Sequence, residues 1–176
     1  VCMNIDLGGG TSKIAICIAG KVREVTAIDV GARLLVLDEN GVVTRLEEAG
    51  RYFGTAAGLD LAVGKKIERS RLQPMVALMA DRLFEVVSLS PLSAETRRLL
   101  RIPPLSYSGK IDAITFSGGV SEFIYGENPG DFGDTGALLA NEVKNRVAQL
   151  GVPVLEPAAR IRATVIGASQ YTIQVS

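Results

Sequence analysis

The sequence predicts an α/β domain: a mixed sheet opening with an antiparallel three-strand meander, flanked by helices and carrying an added β-hairpin. Three patterns point there. Short β-branched runs fill the first third of the chain, helical apolar spacing takes over in the middle, and isolated short strands return between the later helices.

In chain order, Val1 to Asp6 and Lys13 to Ala19 are apolar strands separated by a glycine-rich turn, and Val22 to Val30 follows Gly20-Lys21 as the third strand. Arg33 to Leu37 and Val42 to Leu46 flank Asp38-Glu39-Asn40-Gly41, whose Asn-Gly pair accepts positive φ and marks a hairpin. The segment Ala56 to Arg69 is expected to be helical. Val76, Met79, Leu83 and Val86 or Val87 recur on one face of a helix that opens near Pro74. With three prolines, Ser90 to Pro104 is mostly connector around a helical insert at Ala94 to Leu100. Ile111 to Phe116 is a strand ending at Ser117-Gly118-Gly119. A Gly/Asp-rich loop, Gly126 to Gly136, leads into a helix with Leu139, Val143, Val147 and Leu150 on one stripe and Gly151 as its cap. Val152 to Leu155 is a short strand, Ala158 to Ser169 a helix, and Tyr171 to Val175 a last strand.

A chain of 176 residues fits one domain, and 47% hydrophobic residues supply a substantial core. Lysine plus arginine equal aspartate plus glutamate at 19 each, so no global field attracts nucleic acid or an anionic membrane. No apolar run reaches the roughly 18 residues that a membrane span needs. The absence of histidine removes histidine triads, histidine proton shuttles and most zinc sites. Cys2 and Cys17 lie in apolar strands and read as buried free thiols, which suits a reducing cytoplasm. The chain begins inside a strand, without an initiator methionine, and so reads as an excised domain. The mean hydropathy of +0.26 fits either a strand-rich core or a surface made to face a partner lobe.

The turn Asp6-Leu7-Gly8-Gly9-Gly10-Thr11 carries the chemistry. A Walker A loop needs glycine directly before its lysine, where this chain has Ser12; a dinucleotide fingerprint needs glycine at the position of Lys13. Both devices feed a helix, whereas Ile14 to Ile18 is β-branched and alternating, so this turn leaves as a strand. Three glycines let successive N–H groups converge on an anion with no Cβ in the way. Thr11 adds a hydroxyl donor, and Asp6 is placed to hold Mg²⁺ through its water shell. On this segment alone an ordinary tight hairpin stays open. A second signal, Ile114 to Val120, runs a strand into Ser117-Gly118-Gly119, where a ring or sugar could approach the backbone; a plain turn stays open there too.

Together these residues resemble a known superfamily. Asp6 to Thr11 resembles the second phosphate motif shared by actin, sugar kinases and heat-shock chaperone ATPases, and Phe116 to Val120 resembles its adenosine motif. Ala163 to Ser169 is similar to its second connecting helix, and the meander followed by alternating helices and strands looks like its ribonuclease-H-like, actin-like ATPase lobe. Asn4 to Ser12, Asp29 to Leu34, Ile114 to Glu122 and Arg162 to Gln170 look like the ethanolamine ammonia-lyase reactivating factors, over essentially the whole chain.

That resemblance implies a cytoplasmic, ATP- and Mg-dependent, chaperone-like factor, associated with a bacterial microcompartment, that helps ethanolamine ammonia-lyase exchange damaged cobalamin for intact coenzyme. Asp6, Gly8, Gly9, Gly10, Thr11, Ser117, Gly118 and Gly119 would bind nucleotide, with Asp6 holding Mg²⁺ through water. The family's first phosphate motif would lie in an N-terminal lobe, so 1–176 is expected to form a single lobe, one wall of a two-lobed site. No residue here stands out as the base for the hydrolytic water. The expected partners are the lyase and the N-terminal lobe, with no nucleic acid and no membrane; homo-oligomerisation stays open.

Other residues read as ordinary structure. Lys65, Lys66 and Glu68 form a solvated face, Asp131 and Asp134 lack calcium-loop spacing and read as turn residues, Lys13 points to solvent, and Met75 and Met79 are helix core. Rival functions are an actin-like structural or cell-division ATPase, a sugar or acid kinase lobe lacking a nameable acceptor-binding carboxylate, and an interaction domain that has lost ATP binding.

Overall fold

The computed structural model describes residues 1–127 and 130–156. Among these described residues, seven strands and five α-helices run in the order β1 (Cys2–Leu7), β2 (Ser12–Ile18), β3 (Lys21–Ile28), β4 (Leu35–Leu37), β5 (Val43–Leu46), α1 (Glu48–Ala56), α2 (Gln73–Val87), α3 (Ala94–Leu99), β6 (Ala113–Ser117), α4 (Ser121–Ile124), α5 (Gly136–Val147) and β7 (Val154–Leu155). The main sheet has the order β3-β2-β1-β6-β7, and β4 pairs with β5 in a separate hairpin. β1 to β3 form the expected antiparallel meander, while β6 joins β1 in parallel and β7 joins β6 in parallel. The sheet is therefore mixed.

Strand alternation decides which face is core. Met3, Ile5 and Leu7 of β1, Ile14 and Ile16 of β2, and Ile114 and Phe116 of β6 are all buried in one cluster with the apolar stripes of α2 and α5. α2 packs against β2 and α5. Pro74 lies in the first turn of α2, where its missing N–H costs nothing. Met75 and Met79 are fully buried in that helix, as ordinary core. Ser93 caps α3 by accepting the Thr96 N–H at 3.2 Å, and Glu85 of α2 accepts both the Ser93 N–H (2.9 Å) and hydroxyl (2.8 Å), tying the two helices together.

Several expectations need correction. Ala56 to Arg69 is not a helix: α1 ends at Ala56, and glycines with φ of +73° (Gly58) and +88° (Gly64) turn the following chain. α1 lies earlier and contains Gly50 and Gly54, each of which weakens helical patterning by about 1 kcal/mol relative to alanine. In the hairpin only Gly41 adopts positive φ, at +77°; Asn40 instead donates its N–H to Asp38 Oδ1, in an Asx turn that Val42 N–H reinforces. Cys2 and Cys17 are free but half-buried rather than buried, and lie directly opposite each other on β1 and β2. Burial, then the Cys2 thiol beside it, pushes the Cys17 thiol pKa up. The helix and strand expected over 158–169 and 171–175 fall outside the described residues.

Candidate functional site

Parallel pairing of β1 with β6 sets Asp6 opposite Ser117, so both strands release their glycine turns at the same end of the sheet. Open α/β sheets bind ligands beyond the carboxyl ends of such strands. Here the two turns share a cleft of about 310 Å³, lined among others by Gly8, Gly9, Arg33, Gly119, Phe123 and Phe132.

The first turn is held from three sides. Gly8 N–H bonds Thr11 O at 3.1 Å and closes the turn. Gly8 O accepts Ala32 N–H at 3.0 Å, and Gly9 O accepts Arg33 N–H at 2.6 Å. Ala32 O in turn accepts both the N–H and the hydroxyl of Thr135, each at 2.9 Å, which locks the 31–33 loop to the start of α5. Gly31 is required by close approach: a Cβ there would stand 2.6 Å from Gly9 C and 2.7 Å from Gly10 N. The N–H groups of Gly9 and Gly10 make no hydrogen bond among the described residues, leaving two donors at the turn for an anion.

Below the second turn runs a polar row across β1 and β6. Thr115 Oγ1 donates to Asn4 Oδ1 (2.9 Å), Asn4 Nδ2 to Ser117 Oγ (3.2 Å), and Ser117 Oγ to Asp6 Oδ2 (3.1 Å). Gly118, at φ +84°, lies against Leu7: a Cβ would meet Leu7 O at 2.5 Å and Asp6 Oδ1 at 3.0 Å. Only glycine fits both constraints.

Of the expected site residues, Gly8, Gly9 and Gly119 line the cleft, with Leu7 at its floor. Gly10 and Thr11 open instead onto a neighbouring cleft bordered by Arg45, Arg98 and Arg101. Asp6 is half-buried beneath the turns, Ser117 is fully buried with its hydroxyl on Asp6, and Gly118 is packed on Leu7. Lys13 is exposed, as are Lys65, Lys66 and Glu68. Asp131 and Asp134 are turn residues: Asp131 Oδ1 accepts Gly133 N–H and Asp134 Oδ1 accepts Gly136 N–H, each at 2.8 Å. The Gly133 N–H, and then Arg69, hold the Asp131 carboxyl below its ordinary pKa. Arg69 pairs with both Asp131 oxygens at 2.9 Å and also donates to Asp134 O, fixing the loop that forms one cleft wall.

Sequence reasoning passed over Arg33, Phe123 and Phe132. Arg33 falls in the segment Asp29 to Leu34, whose residue types alone assign it no role. Phe132 is 52% exposed and lines the cleft. Among the described residues no three His, Cys, Asp or Glu side chains group to hold a metal, and no helix is long and apolar enough to cross a membrane.

Comparison with known proteins bears on this arrangement. The chain is 36% identical to the ethanolamine ammonia-lyase reactivase EutA of Salmonella typhimurium and 35% identical to that of Escherichia coli strain K12. Each alignment covers 99% of this chain and 38% of the relative, so the chain spans well under half the length of the curated relatives it matches. Component A of the (R)-2-hydroxyglutaryl-CoA dehydratase of Acidaminococcus fermentans superposes on 89% of the chain and 55% of its own, with a TM-score of 0.40 and 10% identity. The ethanolamine utilisation protein EutA family matches residues 1–176 throughout, and the chain belongs to that family.

Proposed function

We propose that this chain forms one wall of a Mg-ATP cleft in a reactivating factor for adenosylcobalamin-dependent ethanolamine ammonia-lyase, on a ribonuclease-H-like lobe of the actin-like kind. One observation carries the nucleotide part: two glycine turns far apart in sequence meet in one cleft at the ends of β1 and β6. The reactivase part rests on the names and identity of the relatives. The strand order β3-β2-β1-β6-β7, with its meander and parallel partners, supports the lobe assignment.

In this reading Gly8 to Thr11 bind the phosphates, Gly8 and Gly9 from the shared cleft and Gly10 and Thr11 from the neighbouring one, with the Gly9 and Gly10 N–H groups and the Thr11 hydroxyl as donors. Ser117 orients Asp6, and Gly118 and Gly119 border the adenosine. Asp6 suits Mg²⁺ held through water rather than directly, because no three acidic, cysteine or histidine side chains group together among the described residues and one Asp6 oxygen already accepts from Ser117. Mg²⁺ would supply charge neutralisation of the phosphates. A facing lobe completes the cleft and contributes the group that activates water. ATP closes the lobes, and hydrolysis to ADP and phosphate releases them. The factor would work in the cytoplasm, associated with a bacterial microcompartment.

The test uses the full-length protein. Asp6→Ala is expected to weaken Mg-ATP binding by calorimetry at least about tenfold, equivalent to roughly 1.4 kcal/mol, and to lower reactivation of cobalamin-inactivated lyase in step. Unchanged affinity and reactivation would remove Asp6 from the site. ATP-dependent pelleting of the protein without lyase binding would move the reading to an actin-like filament protein.

A further inference from the structure

Arg33 stands in the cleft with capacity to spare. Its backbone N–H is fixed to Gly9 O, and its aliphatic stem lies over Gly9, whose Cβ position is 3.4 Å from Arg33 Cδ and 3.6 Å from Cβ and Cγ. Its Nε reaches Asp134 Oδ2 at a long 3.4 Å, and its side chain is 56% exposed. Both terminal guanidinium nitrogens make no hydrogen bond among the described residues. No other lysine or arginine lines this cleft among the described residues.

Asp134 is a poor candidate for merely neutralising that charge. Its carboxylate is 9% exposed, and its other oxygen accepts Gly136 N–H at the start of α5. Its main chain is held by Arg69 and by a bridge to Val36. The carboxylate is thus a fixed post, and a post bonded to Nε alone leaves the guanidinium fork pointing its four remaining N–H donors elsewhere.

We propose that Arg33 is the phosphate-binding cation of this cleft, oriented by Asp134 and engaging a nucleotide di- or triphosphate beside the Gly9 turn. This rests on the nucleotide reading given above and adds to it the residue that distinguishes nucleotide from nucleoside. Arg–phosphate pairing is charge-assisted and bidentate, so it selects the phosphates and ignores the base and sugar.

The test compares full-length wild type with Arg33→Met, which keeps the stem over Gly9 but removes the fork, and with Arg33→Lys. Binding of Mg-ATP, Mg-ADP and adenosine is measured by calorimetry. Arg33→Met is expected to lose about 10- to 100-fold in affinity for Mg-ATP and Mg-ADP with adenosine unchanged, and Arg33→Lys to recover part of the loss. Equal Mg-ATP affinity in wild type and Arg33→Met would overturn the proposal while leaving the nucleotide reading intact. Parallel loss of adenosine affinity would also overturn it, by making Arg33 a support of the cleft walls. Wild type that binds none of the three would overturn both.

Discussion

A Cβ on Gly31 would be driven into the Gly9–Gly10 peptide, made of backbone atoms with no rotamer to move to. Gly31→Ala must therefore push the 31–33 loop off the Gly8–Thr11 turn, breaking the bonds from Ala32 and Arg33 to Gly8 and Gly9. The expected cost is about 2 kcal/mol by urea melt, with Mg-ATP affinity falling further than stability alone would require. A wild-type melt and wild-type affinity would show that the loop yields freely. Glu85 offers a residue-scale pH prediction. Burial raises its pKa, but the Ser93 N–H, the hydroxyls of Thr96 and Ser93, and Arg82 outweigh that and leave it lowered. A lowered carboxylate pKa contributes stability that is full above the unfolded value, about 4.3, and is lost as pH falls through the folded value. Melts taken from neutral pH down through that window should show the loss, and Glu85→Gln should reduce it while costing about 1 kcal/mol at neutral pH.

Among the described elements, β7 is two residues long and stands at the sheet edge. Beside its backbone pairing with β6, it is tied to the sheet by Tyr125, whose hydroxyl accepts the Phe116 N–H at 2.7 Å and donates to Leu155 O at 2.9 Å. Tyr125→Phe should therefore cost about 1–2 kcal/mol and raise amide exchange at β7 before β1. Equal exchange protection would show that backbone pairing alone holds the edge. Patterning made β1 to β3, the hairpin, α2, β6 and α5 legible, because each carries a clean period of two or 3.6. α1 was hidden by Gly50 and Gly54, and α4 is too short, at four residues, to show a period. In the site, the two glycine turns were legible as local chemistry. Arg33, Phe132 and Asp134 were not, since their meeting depends on the 130–135 loop returning to β4 through a bridge between Val36 and Asp134. No local pattern records that return.

On the scale of the whole molecule, the Gly9 N–H that borders the shared cleft and the Gly10 N–H that borders the neighbouring one make no hydrogen bond within the described residues. The chain spans 38% of its curated relatives' length, and the proposed reading sets a facing lobe across the cleft. If phosphates bridge that lobe to this one, nucleotide should change the shape of the full-length protein. Small-angle scattering is expected to show a smaller radius of gyration with Mg-ATP than without nucleotide, and an intermediate or fully open value with Mg-ADP. The order matters because, on the proposed reading, the γ-phosphate would add charge that both lobes can share, whereas the adenosine end would touch this wall in either state. If Asp6 holds Mg²⁺ as proposed, Asp6→Ala should reduce the compaction even at saturating Mg-ATP, because the ion would lose its contact with this wall. Compaction that is equal with Mg-ATP and Mg-ADP would place the driving contact at the adenosine instead. An unchanged radius in every state would mean that nucleotide acts on the lyase without lobe closure.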